Sequence, residues 1–227
     1  MLKARYIEDS LEEIGVDEAG RGCLWGPLVA GAVLWPSSDL WTETHKDVMK
    51  LVKDSKKISP KKREKIYESI CSLAVWGVGV VDACDIDKYG ATWANQTAFR
   101  RALDNLQSKQ HVEGRILIDG TLPLANIKDG ETHVTIIDGD AEYLSIAAAS
   151  IIAKVYHDRW LHEWCEQENN KVDAKRYDLL SCKGYGTAKH RAGILEHGYT
   201  GLHRKLYLRK LLPDIVVERY VFDDSSD

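Results

Sequence analysis

The 227-residue chain has no CxxC pair, no apolar run of membrane-spanning length and no excess of basic charge. Its five cysteines are Cys23, Cys71, Cys84, Cys165 and Cys182. An odd, unpaired set argues against a disulfide framework and for reduced thiols in a cytoplasmic protein. Met1 to Asp9 lacks the apolar core of a signal peptide, so neither export nor membrane association is expected. The 31 Lys and Arg against 35 Asp and Glu give a net charge of −4. That excludes a globally basic nucleic-acid binder, so any such affinity must come from local patches. Repeats and low-complexity linkers are missing too. So are three common chemical signatures. Gly20-Arg21-Gly22 is followed by Gly26 rather than by a glycine at 25, so the dinucleotide fingerprint fails by one position. There is no Walker A segment, and His157 and His162 lack the spacing of a zinc protease helix. Cys182 near His190 is the one hint of a thiol nucleophile, and nothing else supports it.

What remains is a core-forming α/β pattern. Hydrophobic residues make up 44% of the chain, enough for one large domain with an appendage. Gly15 to Asp17 and Leu28 to Leu34 read as strands, with a turn at Gly26-Pro27 and a stop at Pro36. Ser59-Pro60 opens a helix, serine as N-cap and proline in the first turn. Ala74 to Val81 is a valine-rich strand. Ala94, Ala98, Phe99, Ala102, Leu103 and Leu106 recur at helical spacing. Arg115 to Ile118 and Val134 to Ile137 are further short strands. Leu144, Ala147, Ala148, Ile151, Ile152 and Val155 trace one face of a long helix. The expected organisation is an α/β core over 1–170, a helical basic subdomain over 171–215 and a flexible acidic tail over 216–227.

Strands repeatedly end in acids. Asp17-Glu18 closes the first, Asp119 another, and Asp138 or Asp140 a third. A carboxylate pair at the end of a buried strand is costly unless a cation compensates it. Each acid alone reads equally well as the cap of a turn. Three strand ends converging on one point would give four carboxylates, and oxygen-only ligands favour Mg²⁺ or Mn²⁺ over zinc. Two such ions clamp the attacking and leaving oxygens of a phosphoryl displacement. Gly20 and Gly22 would let backbone approach a ligand closely.

These segments together resemble ribonuclease HII, the type 2 ribonuclease H family. The resemblance runs from about residue 13 to about residue 211. It rests on Gly15-Val16-Asp17-Glu18-Ala19-Gly20-Arg21-Gly22 with Gly26-Pro27, and on Asp54-Ser55-Lys56-Lys57-Ile58-Ser59. It continues through Ile118-Asp119-Gly120, Gly139-Asp140 and the alanine-rich Ser145 to Val155 with Arg159. Lys183-Gly184-Tyr185-Gly186-Thr187 and His203-Arg204 complete it. The resemblance implies a ribonuclease H-like mixed sheet flanked by helices, with a helical C-terminal subdomain. It implies an endonuclease that cleaves the RNA strand of RNA/DNA hybrids and nicks 5′ of single ribonucleotides in duplex DNA, leaving 3′-hydroxyl and 5′-phosphate ends. The family's metal-binding catalytic acids carry over to Asp17, Glu18, Asp119 and Asp140, with Mg²⁺ or Mn²⁺ as the cofactor. Substrate contacts carry over to Gly20, Arg21 and Gly22, and to Tyr185, whose ring packs on a deoxyribose; Ser55, Lys56, Lys57 and Lys183 are further candidate substrate contacts. A monomer acting on nucleic acid, with no assigned clamp partner, is the expected form. A catalytically silent relative and another nuclease of the same fold are the alternatives.

The chain departs from the family pattern at Cys23, usually proline, and at Trp25, usually smaller. Asp138-Gly139-Asp140 stands where Lys-Gly-Asp is common. Two basic groups are candidate phosphate patches. One is Lys53, Lys56, Lys57, Lys61, Lys62 and Arg63. The other is Lys183, Lys189, His190, Arg191, Arg204 and Lys205.

Overall fold

The computed structural model describes residues 2–52 and 59–220. In chain order the elements are β1 (Glu12–Ala19), β2 (Leu28–Leu34), α1 (Glu43–Val52), α2 (Pro60–Leu73), β3 (Val75–Val81), α3 (Ala83–Tyr89) and α4 (Ala91–Gln107). There follow β4 (Gly114–Asp119), β5 (Thr132–Ile136), α5 (Gly139–Glu142) and α6 (Leu144–Glu166). The C-terminal helices are α7 (Lys171–Arg176), α8 (Leu179–Cys182), α9 (Ala188–His197) and α10 (Lys205–Leu208). Ser59 caps α2 as its sequence indicates, accepting from the Lys62 amide at 3.4 Å, with Pro60 in the first turn. Helices α1 and α3 are not among the elements expected from the sequence, although α1 buries Val48, Met49 and Val52 on one face.

The strands form one mixed sheet in the order β3-β2-β1-β4-β5. β1 pairs antiparallel with β2 and parallel with β4, and β4 pairs parallel with β5. Alternation along β3 defines two faces. Trp76 and Val78 pack on a cluster built from α1, α2 and α6. Gly77 and Gly79 lie so near α4 that a Cβ at either would strike the backbone of Ala98 or Ala102. Helices therefore cover the sheet on both sides, the ribonuclease H-like architecture expected. Beneath α6 the strands are equally bare. A Cβ at Gly15 would fall on the Ser145 backbone, and one at Gly31 would sit 2.5 Å from the Ala149 carbonyl oxygen. The small residues Ala147, Ala148 and Ala149 complete this close approach, and it holds Ser150 over the end of β1.

Two compact units emerge. The first comprises 1–19, 29–80 and 96–156, and contains the sheet. The second comprises 20–28, 81–95 and 157–227. The C-terminal helices belong to the second unit together with 20–28 and 81–95. Their core takes in Trp25 from the glycine loop, which packs edge-on against Trp164 at 4.6 Å. Trp25 is fully buried, which accounts for a large side chain at this position. The described part of the tail is tied down, since the Tyr220 amide donates to the Lys88 carbonyl at 2.8 Å. No described helix is long and apolar enough to cross a membrane.

Candidate active site

In the first unit Asp17 and Glu18 lie in the last residues of β1, Asp119 ends β4, and Asp140 lies in α5, beyond the end of β5. Val16 pairs with Ile118 in parallel register, so the next residues, Asp17, two short of the end of β1, and Asp119, the last of β4, lie side by side. β5 stops at Ile136, one residue earlier than its sequence suggests, and Ile137 is exposed. Asp138 then takes a left-handed conformation, φ 54°, and turns the chain into α5. That turn brings the Asp140 amide to Oδ1 of Asp119 at 3.2 Å. Asp138 is exposed, whereas Asp140 is half-buried.

Asp17 is only 6% exposed. Burial, with the neighbouring Asp119 and Glu18 charges, pushes its carboxyl up to about 8, against the pull of the Ser150 hydroxyl hydrogen bond. A carboxyl in that position holds a proton near neutrality unless a cation displaces it. Oxygen donors of this kind suit a hard divalent ion. Among the described residues, however, no three His, Cys, Asp or Glu side chains are gathered closely enough to hold a metal as they stand. Asp17 and Glu18 are consecutive on a strand, where side chains alternate between faces, so bringing both to one ion requires adjustment at the strand end.

The glycine loop lies in the second unit. Gly20 adopts φ +77°, and a Cβ there would strike the His157 ring at 2.7 Å, so the fold itself demands glycine. At Gly22 a Cβ would meet nothing within 4 Å. Close approach by a ligand is therefore an argument for Gly22 alone. Arg21 and Gly22 are exposed. Arg204 supports the loop from within. Its Nε donates to the Gly26 carbonyl at 2.9 Å, and Nη1 donates to the Gly20 and Arg21 carbonyls at 2.7 and 3.0 Å. The Cys23 amide donates to the Gly20 carbonyl at 3.1 Å, a bond that proline could not make. The Cys23 thiol donates to the Lys183 carbonyl at 3.3 Å.

Tyr185 follows two left-handed residues, Lys183 at φ 51° and Gly184 at φ 81°. It is 41% exposed, so its ring is accessible, although partial burial raises its hydroxyl. Its carbonyl lies 2.9 Å from Nδ1 of His190, and Nε2 of His190 lies 3.1 Å from Nε2 of His203. Nδ1 of His203 accepts from the Thr200 amide at 2.9 Å. Burial, and the proximity of His190, lower His203 to about 3, and burial lowers His190 as well.

These positions correct part of the second basic patch. Lys189 and Arg191 are exposed, and Lys183 and Lys205 are partly so. His190 and Arg204 are fully buried: His190 meets the Tyr185 carbonyl and the His203 ring, and Nε and Nη1 of Arg204 donate to loop carbonyls. Lys61 and Lys62 of the first patch are exposed on α2. Lys53, Ser55, Lys56 and Lys57 lie outside the described residues. Cys182 is no nucleophile: it is buried, 3.6 Å from Nδ1 of His190, and burial raises its thiol. Sequence reasoning gave no role to Ser150, and it placed Arg204 and His190 on the surface. A buried Arg beside His is indistinguishable in sequence from a basic surface pair.

The family model for ribonuclease HII matches residues 14–210. The ribonuclease HII of Alkaliphilus metalliredigens is 38% identical over 216 residues, covering 93% of this chain and 97% of its own. That of Bacteroides thetaiotaomicron is 41% identical over 204 residues, covering 89% and 92%. Among solved structures, the ribonuclease H2 of Pyrococcus horikoshii matches with a TM-score of 0.67 at 25% identity, over 88% of this chain and 97% of its own. An Archaeoglobus fulgidus RNase HII, solved in complex with PCNA, matches with a TM-score of 0.61 at 26% identity, over 86% and 94%. Bst-RNase HIII, solved in complex with Mn2+, shares the fold with a TM-score of 0.62 at 23% identity, over 83% and 63%.

Proposed function

The chain belongs to the ribonuclease HII family and is a type 2 ribonuclease H; from that premise we propose that it nicks duplex DNA 5′ of a single embedded ribonucleotide as well as cleaving the RNA strand of RNA/DNA hybrids. The products carry 3′-hydroxyl and 5′-phosphate ends. The observation that carries this reading is the placement of Asp17 beside Asp119 on adjacent parallel strands. Burying the Asp17 carboxyl beside the half-buried Asp119 only costs a protein that does not use them.

Asp17, Glu18, Asp119 and Asp140 would hold Mg²⁺ or Mn²⁺. Such ions lower the pKa of a bound water and stabilise charge on the attacking and leaving oxygens. The chain's own groups prepare for this. Ser150 orients Asp17, and the Asp140 amide orients Asp119. Gly20, Arg21 and Gly22 recognise the ribose through the 2′-hydroxyl, the group that distinguishes RNA from DNA. Tyr185 packs on the adjoining deoxyribose. Lys183, with Ser55, Lys56 and Lys57, contacts phosphates and supplies the salt-dependent part of affinity. The protein acts as a cytoplasmic monomer. A sliding clamp is a candidate partner on the strength of the Archaeoglobus relative alone.

The test is a nicking assay on duplex DNA carrying one ribonucleotide, run with Mg²⁺, with Mn²⁺ and in excess chelator. Cleavage only with metal, 5′ of the ribonucleotide, is expected. Binding without cleavage under every condition would instead identify a catalytically silent relative. Cleavage of all-DNA substrates would identify another nuclease of this fold.

A further inference from the structure

Two recognition elements, the loop at 20–22 and Tyr185, are held from beneath by consecutive residues, His203 and Arg204. Both are buried, at 1% and 0% exposure. The segment is anchored to the glycine loop by backbone bonds as well. The Arg204 amide donates to the Leu24 carbonyl at 2.8 Å, and the Gly26 amide donates to the Leu202 carbonyl at 2.9 Å.

Consider first what Arg204 does to the loop. Every peptide bond described is trans. In a trans peptide the C=O and the N–H of one unit point in opposite directions. Nη1 of Arg204 draws the Gly20 and Arg21 carbonyls inward. The N–H groups of the same two peptide units belong to Arg21 and Gly22, so both are directed away from the guanidinium. Arg21 and Gly22 are exposed, and a Cβ at Gly22 would meet nothing within 4 Å. One planar guanidinium thereby sets a pair of adjacent amide donors. A lysine would have to reach all three carbonyls from one nitrogen, where arginine uses two held in a fixed plane.

His203 acts on the other element. Its Nδ1 accepts from the Thr200 amide, so a neutral ring carries its proton on Nε2. That proton points at Nε2 of His190, which must then accept, leaving the His190 proton on Nδ1. The Nδ1 proton is donated to the Tyr185 carbonyl. Only one pair of tautomers satisfies the chain from Thr200 to Tyr185, assigned from its hydrogen bonds. The Tyr185 backbone is therefore fixed by His203 through His190.

The structure assigns His203-Arg204 as a single positioning element that sets both recognition contacts, Arg204 orienting the Arg21 and Gly22 amides and His203 orienting Tyr185 through His190. This rests on the functional reading above. The two residues touch no substrate themselves. They convert one stretch of chain into a shared reference for the ribose contact and the deoxyribose contact.

The test uses the full chain, with rates expressed per folded molecule. The substrates are a duplex with one ribonucleotide, a long RNA/DNA hybrid and an all-DNA duplex as competitor. Arg204→Lys should lower kcat on both cleavable substrates by about 10-fold or more, with all-DNA affinity changed less than about 2-fold. In His203→Gln the amide nitrogen can replace the Nε2 donor, whereas in His203→Asn it falls short. Gln should keep the single-ribonucleotide rate within about 3-fold, while Asn should lose about 10-fold there and much less on the long hybrid. If Arg204→Lys cannot be recovered folded, the histidine pair decides alone. An Arg204→Lys variant that loses all-DNA affinity as much as kcat, a His203→Asn loss equal on the single ribonucleotide and the long hybrid, or Gln and Asn behaving alike, overturns the assignment. Failure of the wild type to nick at a ribonucleotide would overturn the functional reading instead, a separate result from the same assay.

Discussion

The Asp140 amide donates to Oδ1 of Asp119 across 3.2 Å, which ties the turn after β5 to the acid that ends β4. Asp138, exposed and left-handed, has no such link. Asp140→Asn should therefore lower kcat by about 100-fold or more, and Asp138→Asn by less than about 3-fold, because asparagine tolerates the left-handed region well. Steady-state cleavage of a single-ribonucleotide duplex ranks the two. The reverse order would make Asp138 the ligand.

Asp17 stores a conflict between stability and function. Its folded pKa of about 8 lies above the ordinary 3.8. Its contribution to stability is thus fully present below pH ~4 and is lost as pH rises toward ~8, at about 1.4 kcal/mol per pH unit. Asp17→Asn removes that loss. In chelator at pH 7.5 the variant should melt several degrees above wild type, each kcal/mol being worth ~2–4 °C for a chain this size. Turnover with Mg²⁺ should fall by orders of magnitude. An unchanged or lower melting temperature in chelator rejects the conflict.

The histidine pair has the opposite sign. His203 is depressed to about 3 from 6.5. Its stabilisation is present above pH ~6.5 and disappears as pH falls toward ~3. Urea midpoints at pH 7 and pH 4 should differ more for wild type than for His203→Gln, which cannot titrate. Equal differences for the two proteins would mean that His203 is not kept neutral by the fold.

Tyr185 and the lysines should fail separately. Tyr185→Ala leaves acids and glycine loop unchanged. It should slow cleavage at an isolated ribonucleotide by about 10-fold or more while hybrid affinity stays within about 3-fold. Lys57→Ala should weaken binding to every duplex and reduce the salt slope by about 1. A salt series on both substrates separates them. Wild-type rates from Tyr185→Ala on the single ribonucleotide would reduce the ring to packing.

Local chemistry fixes much of this protein before any folding is considered. The Ser59-Pro60 start of α2, the valine-rich β3 and the apolar face of α6 follow from capping and periodicity. Asp119 at the end of β4 and the exposed Tyr185 between glycines are legible for the same reason: each announces itself within a few residues. Tertiary structure decided what depends on distant partners. Gly20 is glycine because the His157 ring and a positive φ require it, not because a ligand approaches. Trp25 belongs to the core of the second unit, and the helices after 170 share that unit with 20–28 and 81–95. His190 and Arg204 read as surface charge, yet they are buried against loop carbonyls. Residue type sets what a side chain can donate or accept, but burial determines whether it meets water or the backbone, and burial arises from pairings up to 184 residues apart.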